Sequence, residues 1–504
     1  MFYKIRQLLA FIFQIPDTSP ATGQTDGIPY RWVIAGSLLL FLFGFLWFLS
    51  PQFAPDVPLQ NQPILTMTTV FILAGLVYLF LSELIHHSHT GKRLLIWILL
   101  IGGGIRALMF FSTPILEVDF NRYFWDGAVT ASGFNPYAYS PEEILSSANG
   151  IAVTGQQIPD GLTKLATSPG STIENVNHSY LRTIYPPITQ AIYALSYWIS
   201  PWSMPAWRFI LLCFDVITLL LIFNLLRYLN LSPIWASIYW LNPLLVKEIF
   251  NSGHMDILIL PFLLSAFLFS FQQRPYWAMA FLALAIGVKV WPVVLLPLFL
   301  RPLLPDYKQA ASALTLFGGI CLILFLPIFL TGLDEGSGFN AYSNRWQLND
   351  TFFKVTLGVS FLWLKITGGP EWEIYALARR ITLVITAAWI LTITFKKSES
   401  PQNTLDQALL IIAGMYLISP TQFPWYVVWL VPFLVASPRR PLLFLTLLLP
   451  IYYFRYYFEA HGNAELFDNY IVWIEFTPVW ILILREWWLN RQFKNLTRIS
   501  TNRS

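Results

Sequence analysis

The sequence predicts an all-α polytopic membrane protein: a bundle of about fourteen transmembrane helices, with interfacial helices in a long first outer loop. Three observations predict it. Only 12% of the 504 residues are charged, half the roughly 25% usual in soluble domains. Hydrophobic residues make up 56% of the chain and aromatic residues 17%. Several apolar runs reach the length of about 20 residues that a helix needs to cross a bilayer core. The net charge of +4 is small for this length and offers no nucleic-acid surface. Cys213 and Cys321 lie inside apolar runs. They have neither disulfide nor metal-ligand spacing, so both are expected as small core residues.

The N-terminal stretch MFYKIRQLLAFIFQIPDTSPATG has a basic start and a short apolar patch. No clear small-x-small cleavage site comes after it, so a short cytoplasmic interfacial helix is expected. Full spans are expected at about 31–50, 64–85, 94–114, 207–228, 309–331, 378–396, 440–458 and 470–489. Shorter or proline-interrupted ones are expected at about 233–250, 256–272, 276–288, 290–300, 405–420 and 424–436.

Lys and Arg mark the cytoplasmic side of such a bundle. Lys4, Arg6, HHSHTGKR, Arg227, Arg274, Arg301, Lys308, Lys396, Lys397, Arg439, Arg440 and the REWWLNRQFK tail then fall inside, with both termini. DFNRYFWDG begins an outer loop. The alternation closes only if YPPITQAIYALSYWISPW and TFFKVTLGVSFLWLKI lie in the outer interface without crossing it. The chain divides into an N-terminal segment with three spans (1–114), an outer catalytic loop (115–206), a transmembrane core (207–331), a second outer loop with an interfacial helix (332–377) and C-terminal spans with a cytoplasmic tail (378–504). Loops as long as these two are usually functional or disordered.

The segment DFNRYFWDG is the chemical focus. Asp119 is placed to cap a helix running to about Ser132, with Gly133 ending it. Asp119, Arg122, Tyr123 and Asp126 fall at i, i+3, i+4 and i+7, on one face. Phe120, Phe124 and Trp125 lie largely on the other, so an amphipathic helix on the membrane surface is expected. Helix capping by Asp119 and an Arg122–Asp126 ion pair is the alternative to a catalytic role.

The run DFNRYFWDGAVTASG resembles the first outer loop of GT-C glycosyltransferases. YPPI at Tyr185–Ile188 resembles the start of their second interfacial helix. With GFNPY, NPLLVKEIFNSGHMD, KVWPVVLLPLFL, NRWQLND and SPTQFPWYVVWLVPF, the order of motifs is similar to that of bacterial polyprenyl-phosphate-mannose-dependent mannosyltransferases and their PIG-M-like relatives, over roughly residues 94–440. Two spans precede the loop where many relatives have none, and the resemblance gives them no role. It implies transfer of a hexose, expected to be mannose, from a polyprenyl phosphate to a lipid or glycan acceptor on the exoplasmic face of the inner (plasma) membrane.

Asp119 matches the family's catalytic acidic residue and as general base would take the proton of the attacking hydroxyl, with inversion at the anomeric carbon. Phe120 stands where many relatives have a second acid. That leaves Asp126 as the nearby carboxylate, beside Arg122, and no resident metal or cofactor is required. The phosphate leaving group needs cations, and Lys289, Arg345 and His254 are the candidates. Tyr123, Tyr185, Asp256, Trp346, Asn349, Gln422, Trp425 and Tyr426 are candidates for contact with sugar or lipid. Phe423 replaces a histidine frequent in that family.

Ionisable groups near a membrane are costly and usually paired. Lys247 is expected to pair with Glu248, and Arg106 with an acid such as Glu117. His86, His87 and His89 are read as a solvated turn. Asn177 and Asn349 begin glycosylation sequons that matter only in a eukaryotic host. A transporter or flippase, and a lipid-linked polysaccharide polymerase or ligase, remain the other function classes. Neither an internal repeat nor midplane charges point to the transporter.

Overall fold

The computed structural model describes residues 27–88, 91–151 and 157–501. The expected N-terminal interfacial helix, with Lys4 and Arg6, lies outside the described residues, as does His89. The described chain is all-α, with no strand; only two isolated bridges occur, at Arg182–Ser337 and Leu348–Thr421.

Among the described residues, eight helices are long and apolar enough to cross a membrane. They coincide with the eight full spans expected from sequence. The first three are α1 (Tyr30–Leu49), α2 (Ile64–Leu84) and α3 (Lys92–Phe110). One further pair, Pro243–Asn251 and Met255–Phe271, passes the same test only as a unit bent by 104°. The described residues thus hold eight such helices, or nine with the bent pair; the other spans of the expected fourteen do not pass by length and composition. Pro275–Val288 and Trp291–Leu303 are apolar but shorter. The stretch at 424–436 is a 3₁₀ turn, Pro424–Trp429, followed by a single α-turn.

Two helices flank the first loop's chemistry. These are α4 (Phe120–Ala131) and α5 (Pro187–Ile199), followed by the long α6 (Met204–Tyr228). Thirteen residues in α5 span only about 20 Å, too short for a bilayer core of about 30 Å. Phe352–Thr367, the other stretch expected not to cross, is likewise a helix outside the eight long spans. Gly127 lets α4 and α5 meet closely; a Cβ there would stand 2.6 Å from the Tyr193 carbonyl oxygen. Gly133, with φ of 81°, ends α4 as glycine commonly ends a helix.

Instead of showing one polar and one apolar surface, α4 is covered on both faces. Every residue from Asn121 to Val129 is buried. Trp125, Ala128 and Val129 pack into a satellite core with Ile144, Leu162 and Ile173, while Tyr123 and Phe124 join the main core. The polar face is covered because its charges are paired inside the protein.

Two smaller expectations also change. Cys213 is exposed and Cys321 half-buried: apolar surroundings in a spanning helix include the face turned outward. Arg106 does not reach Glu117. Its Nε lies 2.6 Å from Asp215 Oδ2 on α6, its guanidinium sits 3.5 Å over the Trp240 ring, and Tyr239 donates to the same carboxylate at 2.6 Å. Asp215 is fully buried and Arg106 only 2% exposed.

Removing one partner of a buried pair leaves an uncompensated charge and costs about 3–5 kcal/mol. Asp215→Asn and Arg106→Met are each expected to lower the thermal midpoint in detergent sharply. The double variant Arg106→Met/Asp215→Leu should recover much of the loss. Single variants that melt like wild type would remove this pair as a clamp between α3 and α6.

Candidate active site

The site forms where the segment after α3 meets the bent helix pair. Leu116, directly before Glu117, and His178, directly after Asn177, both have left-handed backbone, with φ of 54° and 52°. Non-glycine residues adopt this region at a cost, and such outliers cluster at functional sites. The segment 110–115 is pinned from below. Arg208 donates to the carbonyls of Phe110 and Ser112, and Asn251 donates to the Ser112 hydroxyl and the Thr113 carbonyl while accepting from the Ile115 amide.

The bent pair supplies the other wall. Residues 247–251 form a π-helical turn, a local irregularity frequent at functional sites. Gly253 then takes φ of 79°, a conformation open to glycine at no steric penalty. The chain turns there and delivers His254 and Asp256 into the protein. Non-helical backbone buried here is tolerated because protein groups satisfy it. Trp207 Nε1 donates to the Gly253 carbonyl at 2.6 Å, and the His254 amide to the Glu248 carbonyl at 3.0 Å.

His254 is the hub. Its Nε2 lies 2.9 Å from Glu117 Oε2 and 3.4 Å from Glu248 Oε2. Its Nδ1 is 3.4 Å from the Tyr123 hydroxyl, and Trp425 stacks on the ring at 3.9 Å. Glu248 also accepts from the Tyr453 hydroxyl, which takes a hydrogen bond from Lys247. Lys247 and Glu248 stand 3.5 Å apart, as their adjacency in sequence suggests.

Asp119 sits at the start of α4 but does not cap it. Its Oδ1 accepts from Asn177 at 3.4 Å, and its amide donates to Glu117 Oε1 at 2.8 Å. Burial and then the negative charge of Glu117 push its carboxyl up to about 7, against opposing contributions from His254, Asn177 and Lys289. Burial alone would raise Glu117, but the charge and hydrogen bond of His254, with Lys247, outweigh it and hold that carboxyl below its ordinary value. Ligand atoms of Glu117, Asp119 and His254 lie within 4.8 Å of one another, so these three are the residues that could hold a divalent cation.

Lys289 ends the helix Pro275–Val288. Its ammonium is 2.5 Å from Asp256 Oδ1 and 4.2 Å from the Tyr426 ring centre. Trp429 Nε1 donates to the same Asp256 oxygen at 2.7 Å. Tyr426 bonds to the Tyr342 hydroxyl at 3.0 Å, and Tyr185 packs edge-on to Tyr123 at 5.2 Å.

The structure thus gathers Asp119, Tyr123, Tyr185, His254, Asp256, Lys289, Trp425 and Tyr426. It sets the other candidates apart. Arg122 pairs with Asp126 at 3.3 Å and donates to the Leu181 carbonyl. Asp126 also accepts from Thr183 and Gln190, so this pair ties α4 to α5 and to the segment just before it. Arg345 is exposed and donates to the Glu335 carbonyl. Asn349 bonds to the Gln422 carbonyl and to Glu475, and the Gln422 amide to the carbonyls of Leu417 and Ser419; both are scaffold contacts. Trp346 packs on His178 at 4.6 Å. Sequence reasoning missed Glu117, Glu248 and Asn177 as members of the site. The spacing Glu117–Val118–Asp119 just beyond a spanning helix was the available signal.

The segment before α5 is also strapped to the chain around Asp334. Arg182 is 2.5 Å from Asp334 Oδ1, and its amide donates to the Gly336 carbonyl at 2.9 Å.

Residues 34–303 match the family described as alpha-(1->6)-mannopyranosyltransferase, N-terminal domain (MptA_B family). No curated protein and no solved structure matches the chain. The matched region begins within α1, so the two spans to which sequence reasoning assigns no role are part of that domain. It also contains Glu117, Asp119, His254, Asp256 and Lys289. With more than half of its length matched, this multi-pass membrane protein belongs to the MptA_B family of mannosyltransferases.

Proposed function

We propose that the protein transfers mannose from a polyprenyl-phosphate donor to a glycan or lipid acceptor on the exoplasmic face of the inner (plasma) membrane, with both termini cytoplasmic. The observation that carries this reading is Asp119. It is a half-buried carboxyl raised to about 7, beside a cation-bearing cluster and directly after a spanning helix. The family description adds an expected linkage, α-(1→6), made to a primary hydroxyl.

In the proposed step the acceptor oxygen attacks the anomeric carbon as the bond from that carbon to the phosphate oxygen breaks. The bonding electrons leave with the polyprenyl phosphate, and the acceptor proton passes to Asp119. Attack opposite the leaving group turns a β-linked donor into an α-mannoside. Lys289 is best suited to meet the phosphate. Its side chain is 21% exposed, against 1% for Lys247 and His254. It would exchange Asp256 for phosphate while the Tyr426 and Trp429 rings keep it in place. Preplaced charge of this kind usually supplies the largest share of such catalysis.

A second reading rests on the Glu117, Asp119 and His254 cluster. These residues would hold a divalent cation, which would supply positive charge toward the donor phosphate. Against it, both Glu117 oxygens are already engaged, Oε2 by His254 and Oε1 by the amides of Val118 and Asp119. Prolonged dialysis against EDTA is therefore expected to leave transfer intact. Loss of activity restored by one divalent metal would favour the second reading.

Asp119→Asn is expected to bind donor normally while kcat falls about 10²–10⁴-fold, the usual contribution of a positioned base. Turnover at the wild-type rate would remove Asp119 as base. A base must be unprotonated, so in metal-free buffer kcat/KM should be level above about pH 7. Below that it should fall about tenfold per pH unit. Glu117→Gln removes the neighbouring negative charge and should move this acid limb to lower pH. A profile flat down to the ordinary carboxylate range would contradict the assignment.

A further inference from the structure

Tyr453 lies outside the stretch matched to the family, which ends at residue 303, yet its hydroxyl reaches the charged centre of the site. The span Arg440–Ala460 changes to a 3₁₀ turn over Leu449–Tyr453. Pro450 stands in that turn, and a proline has no amide to continue an α-helical ladder. The turn buries Tyr452 and Tyr453 together. Tyr453 stands between two charges. It accepts a hydrogen bond from the Lys247 ammonium and donates one to Glu248 Oε1. The same ammonium lies 4.0 Å from the centre of the Tyr453 ring and 3.5 Å from Glu248 Oε1.

This bridge leaves Glu248 Oε2 to face His254 Nε2 at 3.4 Å, with the Ser252 hydroxyl at the same distance. His254 Nε2 in turn meets Glu117 Oε2 at 2.9 Å, and Glu117 Oε1 accepts from the Asp119 amide at 2.8 Å. A continuous line of polar contacts therefore runs from Tyr453 to the backbone of the proposed base.

The geometry points to Tyr453 as a positioning residue for the transfer: its hydroxyl keeps Lys247 off Glu248, so that Glu248 holds His254 and Glu117 holds Asp119. Without the hydroxyl the ammonium and the carboxylate, adjacent in sequence and shielded from water, attract each other strongly. Glu248 is then drawn from the imidazole, His254 shifts toward Glu117, and the Asp119 amide moves with it. A misplacement of about 1 Å can cost about 10²-fold in rate. The inference rests on Asp119 acting as the base. It gives the C-terminal part of the chain a share in chemistry otherwise carried by the matched domain.

The test assays the full chain in detergent for mannose transfer from polyprenyl-phosphate mannose to a mannoside. Tyr453→Phe keeps the ring beside the ammonium and removes the hydroxyl alone. Its kcat should fall about 10–100-fold while the KM for donor stays unchanged. Glu248→Gln should lose a similar amount, and the double variant no more than the worse single one, because both act through one carboxylate. Tyr78→Phe is the structural control. That hydroxyl is also buried and donates to the Ile238 carbonyl at 2.8 Å; its loss should lower the thermal midpoint and leave kcat unchanged. Tyr453→4-aminophenylalanine keeps an N–H donor at the same place and should hold kcat within about threefold of wild type.

Wild-type kcat in Tyr453→Phe overturns the positioning role, as do additive losses in the double variant or a KM that rises as kcat falls. Where Tyr453→Phe does not fold, a folded 4-aminophenylalanine variant with kcat down about tenfold or more overturns it equally. Full turnover by Asp119→Asn removes the base itself, and this inference with it. With Asp119→Asn inactive, full turnover by Tyr453→Phe removes the tyrosine alone.

Discussion

The structure around the site depends on one buried imidazole. His254 is gripped at one nitrogen by Glu117 and Glu248 and covered by Trp425. Those residues come from separate parts of the chain. The contact is electrostatic, so it is strong only because water is excluded. It is also demanding, because two carboxylates beside a neutral ring would be a heavy desolvation cost. Lys247 and Tyr453 complete the compensation behind Glu248. The segment after α3 and the bent helix pair are therefore held to one another by charge, and the 3₁₀ turn Pro424–Trp429 joins them through the stacking of Trp425 on the imidazole.

The cluster has more acid than base. Glu117, Asp119, Glu248 and Asp256 face His254, Lys247 and Lys289. A protonated Asp119 balances it, in line with a carboxyl raised to about 7. In the proposed transfer a departing phosphate would add negative charge, and Lys289 is the more exposed of the two lysines. The tie of Arg122 and Asp126 to Thr183 and Gln190 plays a different part. It fixes α4 against α5, so that Asp119, at the start of α4, has a rigid base.

The long spans were legible in the sequence because a run of about 20 apolar residues needs only counting. All eight emerged where expected. Short helices gave no such signal, since ten or fourteen apolar residues fit a broken span and a buried turn equally well. Asp119 was singled out by its motif, and the structure sets it beside Glu117, Asn177 and His254. The role of Glu117 was not, because a single carboxylate beyond a helix carries no information about where it points. Arg106 found its partner on α6, far along the chain, and local spacing cannot reveal such a pair. Arg345 and Gln422 had suitable chemistry, but their backbone surroundings turn them to loop and scaffold contacts.

The bend at Gly253 has a consequence for how this chain can vary. Glu248, His254 and Asp256 reach their partners only because the π-turn and the left-handed glycine set their angular order. Each added or removed helical residue rotates the downstream chain by about 100°. One residue gained or lost between Glu248 and Asp256 would swing Asp256 away from Lys289 while every side chain stayed chemically unchanged. Along this stretch, register is fixed more strictly than residue type, and drift among its apolar members is tolerable where an insertion is not.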